Sequence, residues 1–357
     1  MKRYSVQVVS MMLCCLLSGC VWISAEKKAN NSTATNFPLS LPVKVSNNAV
    51  AYLKLKGQAQ FYSFNGLKSG KSHADITNQA FVWQSGHWQA LNVPREQPPV
   101  LASIAVTVGE SVYLFGGYTV AADHSEKSVP NVWKIDGHTK QWQSMPAMPT
   151  PVDDTVALVY ANRYIYLISG WHDNDNVDQV QVFDTLSLTW QFATSFPIPP
   201  VFGHAGALID DTILVCDGVK LVVENEQRHF LPSAECVQGK IDLNNPTVID
   251  WQAIPHHSGM AYYRMAAAGD GVSKFYFVAG SDNPYNYNGI GYNNEPAQPS
   301  SDIRVYDLQK QQWSIVSNQI PASMDHRGML KTSNGFVIMG GMLSQQVVTD
   351  DIISFKY

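Results

Sequence analysis

The residue types able to move protons or grip a charged ligand fall in two recurring sets of loops. The first set holds Asp153 and Asp154, His204, Arg264 and Asp325-His326-Arg327. Imidazole transfers protons near neutral pH, and guanidinium holds a carboxylate through two parallel hydrogen bonds. His204 is therefore the expected proton-transfer residue, with Arg228, Arg264 and Arg327 as the expected catalytic anion holders. The second set holds Tyr118 and His124, Trp171-His172-Asp173, the stretch from Lys220 to Arg228 and the stretch from Ser281 to Tyr292. Within it, Asp282-Asn283-Pro284-Tyr285-Asn286-Tyr287-Asn288-Gly289 mixes aromatic rings with amides. Rings stack on the C–H faces of sugars while amides and carboxylates bind hydroxyls. Ligand contact is expected at Asp154, Trp171, His172, Tyr285, Tyr287 and His326. Each set also has a plainer reading. The first would hydrogen-bond neighbouring repeats around a solvated channel, and the second would be a polar, turn-rich insertion.

Those loops are placed by a repeat. Apolar runs ending in glycine, such as Val112-Tyr113-Leu114-Phe115-Gly116-Gly117 and Phe336-Val337-Ile338-Met339-Gly340-Gly341, recur with their last glycines 48 to 62 residues apart. A tryptophan (Trp88, Trp142, Trp190, Trp251, Trp313) follows five of these runs after 20 to 33 residues. A period of that size means one supersecondary unit used many times. Each unit reads as four strands: a small apolar strand, the glycine-ended run, an alternating strand such as Val180-Gln181-Val182-Phe183-Asp184, and the tryptophan strand. Asp136, Asp184 and Asp307 each stand six residues before their tryptophan, as turn-forming carboxylates rather than catalysts. The first set of loops precedes the first strand of each unit, and the second follows its glycine.

Composition agrees with one large all-β fold. Of 357 residues 45% are hydrophobic and only 15% charged. The net charge of −5, without a Lys/Arg cluster, argues against a nucleic-acid partner. No Cys/His spacing matches a structural zinc site, His256-His257 adjoin in a turn between units, and no Walker or G-x-S-x-G motif is present. Neither metal nor cofactor is expected.

Lys2 and Arg3 precede a short apolar stretch ending in Leu17-Ser18-Gly19-Cys20. This resembles a bacterial lipobox, which implies a signal peptide over 1–19, lipidation at Cys20 and a membrane partner through the lipid. Val21 follows the cysteine, and by resemblance to other lipoproteins that favours the outer membrane, periplasm-facing. The polar stretch within 20–38 reads as a flexible tether and 39–357 as the folded body. Cys216 and Cys236 remain in that body, either as a disulfide or as two buried thiols.

The glycine runs, spaced tryptophans and aspartates over 39–357 together resemble the kelch repeat, which implies a six-bladed β-propeller. The last unit ends in Asp351-Ile352-Ile353-Ser354-Phe355-Lys356-Tyr357 and lacks a tryptophan strand. The segment Leu39–Val45 is expected to supply its outer strand and close the ring. The layout further resembles the N-acetylneuraminate epimerase (sialic acid mutarotase) family. That resemblance implies a sugar ligand and an isomerase that opens and recloses an acidic sugar ring. The alternative is a non-catalytic propeller binding a glycan or a protein; the oligomeric state is open.

Overall fold

The computed structural model describes residues 37–356. The expected signal peptide, Cys20 and all of the tether except Phe37 and Pro38 lie outside the described residues. Runs of Val, Ile, Tyr and Phe with two-residue alternation form strands throughout, because branched and aromatic side chains pack well on a pleated surface. Blade 1 contains β1 (Ala49–Leu55), β2 (Gln58–Leu67), β3 (Ile76–Gln84) and β4 (His87–Ala90). Blade 2 contains β5 (Ile104–Val108) and β6 (Ser111–Phe115), leaves the sheet through the hairpin β7 (Tyr118–Val120) and β8 (Glu126–Ser128), and resumes with β9 (Val132–Asp136) and β10 (Trp142–Ser144). Blade 3 has β11 (Val156–Tyr160) and β12 (Tyr164–Ile168), the hairpin β13 (Trp171–His172) and β14 (Asp175–Asn176), then β15 (Val180–Asp184) and β16 (Thr189–Phe192). Blade 4 has β17 (Ala205–Ile209) and β18 (Thr212–Cys216), the hairpin β19 (Val219–Glu224) and β20 (Gln227–Pro232), then β21 (Cys236–Ile241) and β22 (Ile249–Ile254). Blade 5 has β23 (Ala266–Gly269), β24 (Lys274–Val278), β25 (Ile303–Asp307) and β26 (Gln312–Val316). Blade 6 has β27 (Leu330–Thr332) and β28 (Gly335–Met339), the hairpin β29 (Met342–Leu343) and β30 (Val347–Val348), then β31 (Ile352–Phe355).

Among the described residues, five blades are four-stranded antiparallel sheets and the sixth has three strands. The fold is the expected six-bladed propeller. Its core lies between blades: Val112, Leu114 and Ile135 of blade 2 pack on Leu53, Tyr62 and Val82 of blade 1. The spaced tryptophans bridge neighbours. Trp190 Nε1 donates to the carbonyl of Pro146 (3.0 Å), Trp251 to Thr194 (3.4 Å) and Trp313 to Pro255 (2.8 Å). Asp136, Asp184 and Asp307 accept backbone N–H groups of their own turns, as their spacing indicates.

Closure differs in register from expectation. Leu39–Val45 does lie beside the last blade, with Ser40 opposite Asp351 and Leu41 N–H donating to Asp350. Trp88 Nε1, however, donates to Ser40 O (2.7 Å), the same role that Pro146 and Thr194 play just beyond a fourth strand. The segment therefore holds the place of a connector between blades. It ties blade 6 to blade 1 through Leu41 and Val45, which pack with Phe61, Trp83, Val337 and Met339.

Cys216 and Cys236 are directly opposed on β18 and β21 and form a disulfide. Sequence left register open, and pairing of adjacent strands decides it. The bond closes the neck of the β19–β20 hairpin.

Candidate functional site

The site is built on a ring. The residue that enters each blade, two before its first strand or slightly earlier, is Asn47, Ala102, Asp154, Gly203, Arg264 or Asp325, and all six have positive φ. The backbone hands hydrogen bonds around the axis: Asp154 N–H donates to Ala102, Gly203 to Asp154, Arg264 to Gly203, His326 to Arg264 and Asn47 to Asp325. A left-handed conformation costs about 1–3 kcal/mol for a residue with a side chain and persists only where surroundings impose it. At Asp154 (φ 47°) and Arg264 (φ 52°) side-chain bonds supply that constraint. Glycine is required at 203, since a Cβ there would lie 1.9 Å from the Tyr263 ring.

Across the axis the ring side chains form a buried ion network. Arg264 donates from Nε and Nη2 to Asp154 (3.1 and 2.5 Å) and from Nη1 to Asp325 (2.9 Å). Arg327 Nη1 also donates to Asp154, Tyr263 OH donates to it at 3.3 Å, and Asn47 Nδ2 donates to Asp325 at 2.8 Å. Two guanidinium groups thus meet two carboxylates. Burial raises the Asp154 carboxyl, but Arg264 and Arg327 outweigh it and hold it below the usual carboxylate range. Asp154→Ala would leave Arg327 buried without its carboxylate. The expected loss is about 3–5 kcal/mol of folding stability, read as a lower urea midpoint; a change under about 1 kcal/mol would show that the network is energetically neutral.

The network separates two cavities. Toward the blade entrances lies a pocket of about 200 Å³ lined by Trp171, Phe202, Phe230, Tyr287 and Tyr292, with Tyr118, Asn286, Glu126, Asp153, Asp154 and Arg264. On the other side the central channel, about 520 Å³, has small apolar walls and is lined near the network by Thr155, His204, Met265, His326 and Arg327.

The pocket's wall is aromatic. Phe230 stacks on Tyr292 (4.3 Å) and meets Trp171 (5.9 Å), which in turn meets Phe202 (5.2 Å). The Arg228 guanidinium lies over Trp171 and Phe230 at the rim and donates to the Asn174 carbonyl. Two carboxyl groups complete it. Asp153 is fully buried and accepts from Ser128 Oγ (2.6 Å); burial, then the charge of Asp154, pushes its pKa well above the usual value. Glu126 stands at the mouth as an exposed residue, and desolvation of its carboxyl still raises it. One carboxyl is therefore biased to its neutral form while the other meets solvent, the asymmetry that acid–base chemistry uses.

The expected site residues divide between these layers. Asp154, Trp171, Arg264 and Tyr287 line the pocket and Arg228 caps it. His204, His326 and Arg327 line the channel instead. His204 Nε2 faces the Ile168 carbonyl at 2.8 Å, and burial lowers its pKa to about 4, so it is a neutral channel residue and not the pocket's proton carrier. Arg264 and Arg327 are not free anion holders: all three Arg264 nitrogens donate to carboxylates, and both Arg327 Nη atoms are used, one on the Thr155 carbonyl. Tyr285 is fully buried, edge-on to Tyr263, and does not line the pocket; neither does His172, which pairs with Asp175 in the β13–β14 hairpin. Sequence reasoning missed Glu126 and Phe230. Glu126 follows Tyr118 and His124 in a loop already singled out, and Phe230 shares a face of β20 with Arg228.

Asp217, His256 and His257 also converge, with Asp217 accepting from both Nε2 atoms at 2.5 and 2.8 Å. This group does not suit a metal ion. His256 Nδ1 accepts the Gly259 N–H (2.9 Å), so its proton sits on Nε2, the atom that would have to ligate. Metal-bound histidines donate from the second nitrogen.

Comparison with known proteins places this geometry. The family model for the KLHDC2/KLHL20/DRC7 Kelch-repeats domain matches residues 49–233. Kelch-like protein 15 of Homo sapiens is 20% identical over 273 residues, 75% of this chain and 42% of that protein, so the chain spans well under half the length of this relative. N-acetylneuraminate epimerase of Yersinia pestis (strain Pestoides F) is 21% identical over 312 residues, 74% of this chain and 75% of that protein. The solved structure of YjhT superposes with a TM-score of 0.69 at 15% identity, covering 90% of this chain and 97% of that one.

Proposed function

The chain belongs to the kelch-repeat family, and from that premise we propose that its pocket binds an acidic sugar and interconverts its anomers. The observation that carries this reading is the pairing of an aromatic wall with two carboxyls of raised pKa, Glu126 and Asp153, in one cavity. Similarity to a protein named N-acetylneuraminate epimerase, along three quarters of both chains, supports the choice of substrate class.

Mutarotation asks little of a site. A base takes the proton of the anomeric hydroxyl, an acid protonates the ring oxygen, and the C–O bond breaks to the open carbonyl form. Closure on the other face reverses these transfers. Glu126 takes the base role because it is solvent-accessible; Asp153, held neutral, takes the acid role. The sugar's C–H face stacks on Trp171 and Phe230. Its carboxylate points toward Arg228 at the rim, because the ionised Glu126 and Asp154 would repel an anion deeper in the cavity. The proposal extends to location: a lipid at Cys20 would hold the propeller at the outer membrane, where such a sugar arrives.

Exchange NMR of N-acetylneuraminate with the purified full chain tests the reading. Faster interconversion of its anomers is expected, with N-acetylglucosamine much less affected. Binding without faster exchange would make the pocket a recognition module, and no effect on either sugar would sink the sugar reading altogether.

A further inference from the structure

The aromatic pocket has a charge and a shape that sugar chemistry leaves unused. The rings of Trp171, Phe202 and Phe230 are inclined to one another by 49°, 58° and 83°, with centroids 5.2 to 6.0 Å apart. Besides a wall for a flat ligand they form a corner, which suits a rounded group touching several ring faces at once. Among the described residues that line the pocket, the one cation is Arg264, against the carboxyls of Glu126, Asp153 and Asp154. Arg264 and Arg327 are already matched by Asp154 and Asp325. Glu126 and Asp153 are the carboxyls left over, and desolvation raises the pKa of both. Aromatic faces attract a cation within about 6 Å of the ring centroid. Arg228 illustrates this at the rim, 5.3 Å from Trp171 and 5.7 Å from Phe230. The pocket therefore favours positive charge inside and negative charge at its edge.

We propose that this pocket also binds a compact zwitterion in which a quaternary ammonium is joined through a few bonds to a carboxylate. The methylated nitrogen lies in the corner of Trp171, Phe202 and Phe230, near Asp153 and Glu126. The carboxylate meets Arg228. A quaternary ammonium has no N–H group to leave unpaired, so an aromatic corner costs it little, and such cations are the ligands that aromatic cages take. A cavity of about 200 Å³ limits the ligand to a small molecule. The inference goes beyond the sugar reading and does not depend on it, although the two ligands would compete for one cavity. A bound cation favours the ionised forms of Glu126 and Asp153, so binding releases protons and tightens as pH rises.

Calorimetry of the full chain with glycine betaine tests this, against 3,3-dimethylbutanoate, which has the same shape with carbon in place of nitrogen. Saturable binding of glycine betaine is expected, about tenfold or more tighter than that of its carbon isostere. It should tighten as pH rises from 5 to 8. Trp171→Leu keeps an apolar side chain but removes the ring, and Glu126→Gln removes a charge at an exposed position; each should weaken binding severalfold or more, with Trp171→Phe restoring part of the loss. Arg228→Gln should weaken glycine betaine but not choline, which lacks the carboxylate. Three results would overturn the proposal: no saturable binding, an isostere that binds equally well, or an affinity indifferent to both Trp171→Leu and Glu126→Gln. Binding to phosphatidylcholine vesicles without binding of glycine betaine would overturn it too, by assigning the corner to a lipid headgroup. Anomer exchange is a separate measurement, so either reading can fail while the other stands.

Discussion

Glu126→Gln is expected to slow anomer exchange by about 10²–10⁴-fold, the usual contribution of a positioned acid–base group. The substitution keeps the side chain's shape and removes its ability to take a proton. Glu126 acts as a base only when ionised, and desolvation raises its pKa above the ordinary glutamate value of 4.5. The wild-type rate should therefore climb with pH through a midpoint above 4.5, and that limb should vanish in the variant. Substrate affinity should change little, because the aromatic wall of Trp171 and Phe230 is untouched. A variant with wild-type rate and an unchanged pH profile would remove Glu126 from the chemistry and leave the carboxyl-pair mechanism without its base. Glu110→Gln, a surface change on blade 2, is a suitable control.

Acidification should remove the stability that two buried channel histidines contribute. His204 and His326 are buried at the channel, and burial lowers each pKa from 6.5 to about 4. Between those values the unfolded chain takes up protons that the folded protein refuses. The stability they contribute is complete above pH 6.5 and is lost as pH falls toward 4. At about 1.4 kcal/mol per pH unit, this is roughly 3 kcal/mol per histidine. Asp153 works the other way, because its raised pKa favours the folded state as pH falls, so the contribution of each histidine is read from the difference between wild type and its variant. Asp154 adds a later loss: its lowered pKa gives stability present above the unfolded value near 3.8 and lost only below it. Urea midpoints at pH 7 and pH 5 should show the effect. His326→Gln should remove about 2 kcal/mol of the pH 7-to-5 drop. An identical drop in the variant would mean that the histidine is charged or solvated in the folded state.

The blades were legible because their signals are local. Glycine ends the second strand, aspartate turns the third, and tryptophan opens the fourth; each acts through neighbours a few residues away. The fourth-strand indoles then reach a connector carbonyl 44 to 58 residues earlier at Trp190, Trp251 and Trp313, a distance the repeat itself sets. The site was only half legible. Asp153, Asp154, His204, Arg264 and His326 are all blade-entrance residues, but they do not share a layer. Asp154 and Arg264 correspond to Gly203, not to His204, which corresponds to Thr155 and Met265. A displacement of one residue moves a side chain from the pocket floor to the channel wall. The six ring residues, Asn, Ala, Asp, Gly, Arg and Asp, have no type in common, and their shared conformation leaves no mark in composition. Glu126 lacked a signal for a related reason: nothing near it in the chain indicates that its hairpin folds over Asp153.

By itself the sequence determined the architecture of this protein: an all-β chain of repeated four-strand units closing into six blades, with function displaced to the loops. Strand period, turn chemistry and indole spacing are properties of short segments, and short segments suffice to specify them. Only the tertiary structure decided which loop residues meet. The Asp154–Arg264–Asp325–Arg327 network joins residues as far apart as 173 positions. The same closure of the ring moved His204 into the channel, left Arg228 at the pocket rim, and brought Glu126 and Asp153 into one cavity.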